Sequence, residues 1–362
     1  MRKEIINNME IGSEFWLEKN IEHNYNSYFS NKEKNDSIFF MSGRTAIDYA
    51  LNLITKDRKV KKVYFPSYCC QSMLTPFQKR NIEIEFYTVK FDNGEIIYDI
   101  DEDRDCDIFL AMNYFGFSVN NMDKFIENFS DRGIFVLEDS THSFLSKRVY
   151  NRKSDLVIAS LRKWFPIICG GILINISKKV NFGYIEEMNY NSQYVNIKKK
   201  AMKKKEEYIN SVSNIEKKDF LEEFSKANNI LENDYINYKI DDLSYSILNK
   251  IDIEKIKKDR IKNASVIYRF LMNQSEIEYI EEFDTQNDCP IFVPIFFKDK
   301  ETRENIKRNL IRNNIYCPTH WGIPEIIRKS GQYDIYNREL SLICDQRYNI
   351  DDIQNYMKFL KK

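Results

Sequence analysis

The sequence predicts an α/β protein with a mainly parallel mixed sheet in a large domain and a smaller α+β domain at its C-terminal end. Between residues 37 and 176, short apolar runs alternate with helical patterns, which is typical of parallel strands covered by helices. Residues 181–273 contain few Gly or Pro residues and are predicted to be mostly helical. A chain of 362 residues is long enough to form one large and one smaller domain.

The predicted strands of the large domain are apolar runs of three to five residues. They lie at 38–41, 63–65, 82–86, 108–112, 134–137, 156–159 and 172–176. The smaller domain is predicted from a helix at 251–271, strands at 276–280 and 291–297, a helix at 302–313, a strand at 340–344 and a final helix from Asp351. We therefore divide the chain into an N-terminal arm (1–36), a large domain (37–245) and a small domain (246–362).

The charge balance gives no general attraction for nucleic acid. Lys plus Arg and Asp plus Glu both total 55, so the formal net charge is zero. A lysine-rich run at 198–205 is predicted to be a solvated helix face. These features make nucleic acid an unexpected partner.

The cysteine and histidine pattern indicates neither a disulfide framework nor a metal site. The seven cysteines include no C-x-x-C pair, and the three histidines, His23, His142 and His320, lack metal-ligand spacing. The sequence has no signal-peptide pattern and no apolar stretch long enough to cross a bilayer. We expect a cytoplasmic protein with no membrane partner and no bound metal.

Residues 133–171 contain the most informative pattern in the chain. One apolar strand ends at Asp139, and His142 follows it; the next strand ends at Ser160, with Lys163 just beyond. Asn113 stands at the end of a third strand, and ligands bind beyond the carboxyl ends of parallel strands. Pyridoxal phosphate suits this set, because it needs a lysine amine for covalent attachment and a carboxylate that keeps its ring nitrogen protonated.

A second pattern predicts a site for the phosphate of that cofactor. Ser42, Gly43, Arg44 and Thr45 form a small-residue turn between an apolar run and a helical pattern. The N-terminus of a helix presents free backbone N–H groups to anions. Ser42 and Thr45 are equally compatible with ordinary helix capping.

Taken in order, these motifs resemble the DegT/StrS family of sugar aminotransferases, which belong to the fold-type I pyridoxal-phosphate-dependent enzymes. The resemblance covers most of the chain. It rests on Gly43-Arg-Thr-Ala46, Val63-Tyr-Phe-Pro-Ser-Tyr68, Asn113-Tyr-Phe-Gly116, Glu138-Asp-Ser-Thr-His142, Ser160-Leu-Arg-Lys163 with Gly170-Gly171, and Tyr316-Cys-Pro-Thr-His-Trp321.

The resemblance implies a role for each cofactor residue. Lys163 would hold the cofactor and move protons, Asp139 would bind the ring nitrogen, and His142 would lie near the ring hydroxyl. Arg44 would contribute mainly through its backbone, and Ser160 would join the phosphate site. Asp139 as a helix cap and His142 as a plain loop residue remain alternatives.

Other positions depart from the family pattern. Cys70 stands where the family carries the aromatic residue over the cofactor ring, so Tyr68, or the aromatics after Asn113, would supply that contact or belong to the core. His320 and Trp321 lie in a turn that serves as a substrate gate or is simply packed. The resemblance implies a two-fold homodimer in which Asn237 reaches the partner's cofactor phosphate, with Lys239 in place of the family's arginine.

The function implied is transfer of an amino group, from glutamate, to a nucleotide-linked keto-sugar for surface glycan or polysaccharide synthesis. The alternative is a pyridoxal phosphate lyase, or a transaminase acting on a small keto acid, keto-phosphate or amino acid, because the same cofactor residues serve both. A cofactor-binding regulator is a third hypothesis, but it would need a DNA-binding module for which neither end of this sequence has room.

Overall fold

The computed structural model describes residues 10–17, 29, 36–119, 122–182, 188–210 and 215–360. The strands are β1 (Ile11–Gly12), β2 (Ser37–Phe40), β3 (Lys62–Pro66), β4 (Glu83–Asp92), β5 (Glu95–Asp99), β6 (Ile108–Met112), β7 (Phe135–Asp139), β8 (Leu156–Ser160), β9 (Gly171–Asn175), β10 (Glu278–Tyr279), β11 (Val293–Phe296), β12 (Ile315–Tyr316) and β13 (Glu339–Leu342).

The helices are α1 (Gly43–Asp57), α2 (Gln71–Gln78), α3 (Asp123–Asp131), α4 (Ser192–Ile209), α5 (Lys217–Asn233), α6 (Asp242–Leu248), α7 (Ile253–Leu271), α8 (Lys300–Arg312), α9 (Glu325–Ser330), α10 (Asp334–Arg338) and α11 (Ile350–Met357). Single 3₁₀ turns lie at Leu161–Lys163 and Lys358–Leu360.

The large sheet has eight strands within the described residues, in the order β2-β9-β8-β7-β6-β3-β4-β5. The five strands from β8 to β4 are mutually parallel, whereas β9 and β5 run antiparallel to their neighbours. All residues of β6 and β7 are buried, because helices cover both faces of a parallel sheet. The predicted α/β class, with a mainly parallel mixed sheet, is confirmed.

Strand β5 is missing from the sequence-based prediction. It returns antiparallel to β4 through a turn at Asn93 and Gly94, whose φ angles are 47° and 78°. An Asn-Gly pair between two apolar runs is a strong hairpin signal, because both residues tolerate positive φ. The Asn93-Gly94 pair therefore marks this hairpin in the sequence.

The C-terminal elements form a three-stranded antiparallel sheet in the order β10-β11-β13. Helices α7 and α11 pack against each other, and α8 packs against β12 and β13. The predicted α+β character of this region is confirmed.

The N-terminal segment is attached to the C-terminal elements, which the sequence did not predict. Strand β1 pairs parallel with β12, and the hydroxyl of Tyr348 donates to the carbonyl of Glu10, 3.0 Å away. The predicted arm lies in part outside the described residues, at 1–9, 18–28 and 30–35.

The prediction of a solvated lysine face on α4 is wrong at two positions. Lys198 and Lys205 are 2% and 0% exposed, and they face the N-terminal segment rather than solvent. Lys198 forms an ion pair with Glu14 at 3.0 Å, and the Lys205 amine donates to Ser13 Oγ at 3.1 Å. The long-range partners of these lysines are 180 residues or more away, so no local pattern could reveal them.

Within the part of the chain that the structure describes, no helix is long and apolar enough to span a membrane.

Candidate active site

Two adjacent strands bring the predicted acid and lysine to one cavity. Asp139 is the last residue of β7, and Lys163 lies one 3₁₀ turn beyond the end of β8, which pairs parallel with β7. The cavity has a volume of about 280 Å³. It is lined by Ser42, Gly43, Arg44, Ile47, Cys70, Ser72, Met73, Met112, Asp139, Thr141, Ile158, Ser160, Arg162, Lys163, Asn228, Leu231, Glu232 and Trp321.

The surroundings of Lys163 favour its neutral amine. Burial lowers the pKa of Lys163 below its ordinary value, while the nearby Cys70 thiol and Asp139 carboxylate act in the opposite direction. The Arg162 guanidinium adds to the lowering. An amine that is neutral nearer to physiological pH can act as a nucleophile and as a base.

Asp139 is buried, and Thr141 forms a hydrogen bond to its carboxylate. The backbone N–H of Thr141 donates to Asp139 Oδ1 at 2.8 Å. Burial raises the pKa of Asp139, and hydrogen bonding from Thr141 and the charge of Lys163 partly offset that rise. The neighbouring Glu138 faces away, as strand alternation predicts, and accepts hydrogen bonds from Arg148 and Ser154.

The N-terminus of α1 forms another wall of the cavity, where the sequence predicts the phosphate site. Ser42 caps the helix, with its Oγ accepting from the Thr45 N–H at 3.1 Å. A β-carbon added to Gly43 would lie 3.2 Å from the Cβ of Ser160, so the helix end and the end of β8 are in close contact. Ser42, Gly43 and Ser160 are thus brought together around one end of the cavity.

The side chains of two other phosphate candidates form hydrogen bonds within the protein. The hydroxyl of Thr45 lies 2.9 Å from Ser42 Oγ, and Thr45 does not line the cavity. The Arg44 guanidinium donates to the backbone carbonyls of Leu231 and Glu232 at 3.2 and 3.0 Å, at the C-terminal end of α5. Arg44 nevertheless lines the cavity, and its Nε is buried without a hydrogen-bond partner. A phosphate contact through the backbone of Arg44, which the family resemblance implies, stays a prediction.

His142 presents an unpaired donor within the buried region beside the cavity. Its Nδ1 accepts from the backbone N–H of Phe115 at 3.2 Å, so the proton of the neutral ring is on Nε2. Burial holds the pKa of His142 well below its usual range, helped by the charge of Lys163. Both His142 Nε2 and Asn113 Oδ1 are buried without a hydrogen-bond partner.

The aromatic candidates are divided between the cavity and the core. Trp321 lines the cavity, and its ring centroid lies 5.5 Å from the Lys163 amine. Tyr68 is fully buried behind it, with ring centroids 5.1 Å apart, and does not line the cavity. His320 is buried too, with its backbone N–H donating to Glu339 at 2.7 Å. Of the predicted gate, Trp321 therefore reaches the cavity and His320 does not.

Asn237 and Lys239 lie outside this cavity. Asn237 is exposed and has a φ of 57°, and the backbone of Lys239 pairs with Phe40 and with Asn189. Their cofactor role therefore stays a prediction that depends on a second copy of the chain.

Arg162 lines the cavity, although the sequence patterns did not predict a role for it. Its Nη1 donates to the hydroxyl of Tyr194 at 3.0 Å, while its Nε is buried without a partner. Its position next to Lys163 in the sequence was the available indication. It was a weak one, because the side chains of consecutive residues usually point in different directions. Helix α5 also contributes Asn228 and Glu232 to the cavity, and no motif in the sequence indicated this.

The residues present fit pyridoxal phosphate. The unpaired Nε2–H of His142 suits an anionic ring oxygen, the Asp139 carboxylate suits a ring N–H, and the α1 N-terminus suits a phosphate. Lys163, with its lowered pKa, suits the covalent attachment.

No family model matches the chain, and no curated protein matches it. Solved structures do share its fold. The aminotransferase TlmJ from Streptoalloteichus hindustanus is 12% identical, with 90% of this chain and 85% of that chain covered and a TM-score of 0.63. The sugar aminotransferase CalS13 from Micromonospora echinospora is 12% identical, with 95% and 93% covered and a TM-score of 0.60.

The E. coli GDP-4-keto-6-deoxy-D-mannose-3-dehydratase, solved with bound hydrated pyridoxal phosphate, is 15% identical, with 93% of this chain and 90% of that chain covered and a TM-score of 0.63. The predicted likeness to sugar aminotransferases of fold-type I is therefore confirmed as a likeness in fold.

Proposed function

We propose that the protein is a pyridoxal-phosphate-dependent aminotransferase that moves an amino group from glutamate to a keto-sugar. The observation that carries this proposal is the meeting of Asp139, Lys163 and the α1 N-terminus around one cavity. The fold shared with TlmJ and CalS13, both described as aminotransferases, supports the same class. The finer assignment is a nucleotide-linked sugar used for a surface glycan or polysaccharide.

Lys163 and Asp139 have separate tasks in this proposal. When bound, the cofactor supplies an electron sink that stabilises negative charge on the carbon next to the amine. The Asp139 carboxylate, buried and aimed into the cavity, holds a proton on the ring nitrogen. The Lys163 amine, with its lowered pKa, takes a proton from the donor carbon and returns one to the acceptor carbon.

The remaining cavity residues orient the reactants. The backbone at Gly43 and the hydroxyls of Ser42 and Ser160 would bind the cofactor phosphate, and His142 Nε2 would donate to the ring hydroxyl oxygen. Arg162 carries an unpartnered Nε beside Lys163, so we assign it to the carboxylate of the amino donor.

The assembly and the location of the reaction are part of the proposal. We expect a two-fold homodimer in which Asn237 and Lys239 of one copy approach the cofactor phosphate of the other. Exposed apolar residues flank Asn237 at Ile236, Leu243 and Tyr245, which supports an interface there. The division at residues 36 and 245 and a reducing cytoplasm, suited to seven free cysteines, complete the proposal.

The test is a pair of half-reactions. Purified protein loaded with pyridoxal phosphate should lose its visible absorption on addition of glutamate and regain it when the correct keto-sugar nucleotide is added. Borohydride reduction followed by peptide mapping should place the cofactor on Lys163. A label on another lysine, or no spectral change with any amino donor, would overturn the proposal.

A further inference from the structure

Trp321 is the one aromatic residue among the described residues that line the cavity. Its indole ring lies 5.5 Å from the Lys163 amine and nearly parallel to the His142 ring, with centroids 5.7 Å apart and an interplanar angle of 29°. Trp321 thus contacts two residues that the proposed function assigns to the cofactor.

Cys70 occupies the same cavity at the position where the family carries an aromatic residue over the cofactor ring. Its Sγ lies 2.8 Å from Ser72 Oγ, and a thiol has no flat surface that a pyridine ring can stack on. The part of the chain that normally supplies the aromatic contact therefore cannot supply it here.

The turn that carries Trp321 is held by a buried carboxylate. Glu339 is fully buried, and its Oε2 accepts from the backbone N–H of His320 at 2.7 Å. Its Oε1 lies 3.4 Å from His320 Nδ1 and accepts from the hydroxyl of Ser341 at 2.5 Å. Tyr68 also packs against the indole, with the two ring planes tilted by 49°, so the ring is held both through its backbone and by a buried neighbour.

We propose that Trp321 supplies the aromatic face for the cofactor's pyridine ring, in place of the aromatic residue missing at Cys70, and that Glu339 is the positioning residue for it. The inference rests on the proposed function. An indole is the strongest of the aromatic side chains for attraction to a cation, and the pyridine ring is cationic when Asp139 keeps it protonated. The contact comes from beyond β12, more than 150 residues after Lys163, so cofactor binding depends on the C-terminal region.

The experiment measures the dissociation constant of pyridoxal phosphate by titrating cofactor-free protein. Trp321→Ala should weaken binding about tenfold, because it removes the aromatic contact, whereas Trp321→Phe should retain most of the affinity. Trp16→Phe is the matched control, since Trp16 does not line the cavity, and it should leave the constant unchanged.

A second-site variant tests whether the two positions share one role. Adding Cys70→Tyr to Trp321→Ala should restore most of the lost affinity, because it returns an aromatic side chain to the cavity at another lining position. An unchanged dissociation constant in Trp321→Ala would overturn the inference, and so would a Cys70→Tyr addition that folds yet restores nothing.

Two substitutions test the positioning role of Glu339, one that keeps an acceptor oxygen and one that removes it. Glu339→Gln keeps an acceptor oxygen for the His320 N–H and should keep cofactor affinity, whereas Glu339→Ala should lose it to the same extent as Trp321→Ala. Quenching of the tryptophan emission by the bound cofactor should weaken in Glu339→Ala and not in Glu339→Gln. If that variant lost thermal stability but kept affinity and quenching, Glu339 would not be a positioning residue.

Failure of the inference and failure of the proposed function give different results. Wild-type protein that takes no pyridoxal phosphate on Lys163 would refute both. Wild-type protein that binds it, together with Trp321→Ala binding it equally well, would refute the inference alone.

Discussion

Gly171 lies so close to Ser42 that a β-carbon on Gly171 would stand 2.0 Å from the Ser42 carbonyl oxygen. Gly171 begins β9, which runs antiparallel to β2 and pairs with Phe40, two residues before Ser42. The same carbonyl accepts the first backbone hydrogen bond of α1, from Ala46 at 3.0 Å. Absence of a side chain at Gly171 therefore allows the helix N-terminus to reach the cavity.

Gly171→Ala should damage the proposed phosphate site and the fold together. The added methyl group must displace backbone rather than a flexible side chain, and overpacking of this kind costs about 1–3 kcal/mol. We expect a lower free energy of unfolding and weaker binding of pyridoxal phosphate. Gly322→Ala is the control, because a β-carbon there has no heavy atom within 4 Å. Equal stability of the two variants in urea titrations would contradict the assignment.

Asp139→Asn should reduce turnover far more than cofactor affinity. The amide cannot hold a proton on the ring nitrogen by charge, whereas the phosphate contacts proposed for Ser42 and Ser160 should be unaffected. Loss of a preorganised charge typically costs about a hundredfold or more in rate. Stopped-flow measurement of the glutamate half-reaction tests this, after the variant is shown to bind cofactor. A near-normal rate would remove Asp139 from the proposed chemistry.

Arg44→Met should lower stability and leave cofactor binding largely intact. The Arg44 guanidinium caps the carbonyls of Leu231 and Glu232 at the end of α5, and a cation at a helix C-terminus contributes about 0.3–1 kcal/mol. The backbone of Arg44, which the proposal uses, is unchanged in this variant. Thermal unfolding and cofactor titration separate the two effects. A tenfold loss of affinity with unchanged stability would show that the side chain binds the phosphate.

Much of the cavity formed by strand ends and the start of α1 was predictable, because strand ends and helix starts leave local patterns. An apolar run that stops at Asp139 and another that stops at Ser160 predict their own positions at the edge of a parallel sheet. The turn at Ser42 and Gly43 gave an equally local signal for the start of α1.

The remainder depended on tertiary contacts. Trp321, Arg162 and the α5 residues reach the cavity through packing between distant segments, and the burial of Lys198 and Lys205 is set by partners near residue 14. A local pattern of apolar and polar residues carries no information about contacts between segments so far apart in the chain. Tyr68, which the sequence offered as a ring-stacking residue, lies in the core for the same reason. Its aromatic neighbours come from distant parts of the chain.

Arg162→Gln should raise the KM for the amino donor more than it changes kcat. The substitution removes the charge beside Lys163 but keeps a polar side chain that can still bond to Tyr194, so the fold should survive. Losing a charge-assisted hydrogen bond to a carboxylate costs about 1.5–3 kcal/mol, or about ten- to a hundredfold in affinity. Steady-state kinetics with glutamate, beside cofactor titration, tests this. If cofactor affinity fell and KM did not, Arg162 would bind the phosphate instead.

Lys205 makes the stability of the protein depend on pH. Burial lowers its pKa from 10.5 to about 7, and the charge of Arg347 adds to the effect, while Glu10 and Glu14 oppose it. Between about pH 7 and 10.5 the unfolded chain therefore binds more protons at this site than the folded protein does. The cost of burying the charge is fully present below about pH 7, and the free energy of unfolding rises as pH increases through that window.

Lys205→Met should remove this dependence. At a fully shifted site the free energy of unfolding changes by at most about 1.4 kcal/mol per pH unit. The variant should therefore exceed the wild type in free energy of unfolding by the largest amount at pH 7, and by progressively less at pH 8 and 9. Urea unfolding at the three pH values measures the difference in free energy between the two proteins. Lys203→Met, an exposed position on the same helix, is the control and should give a difference that does not vary with pH. A constant difference for Lys205→Met as well would mean that the buried amine keeps its charge across the whole range.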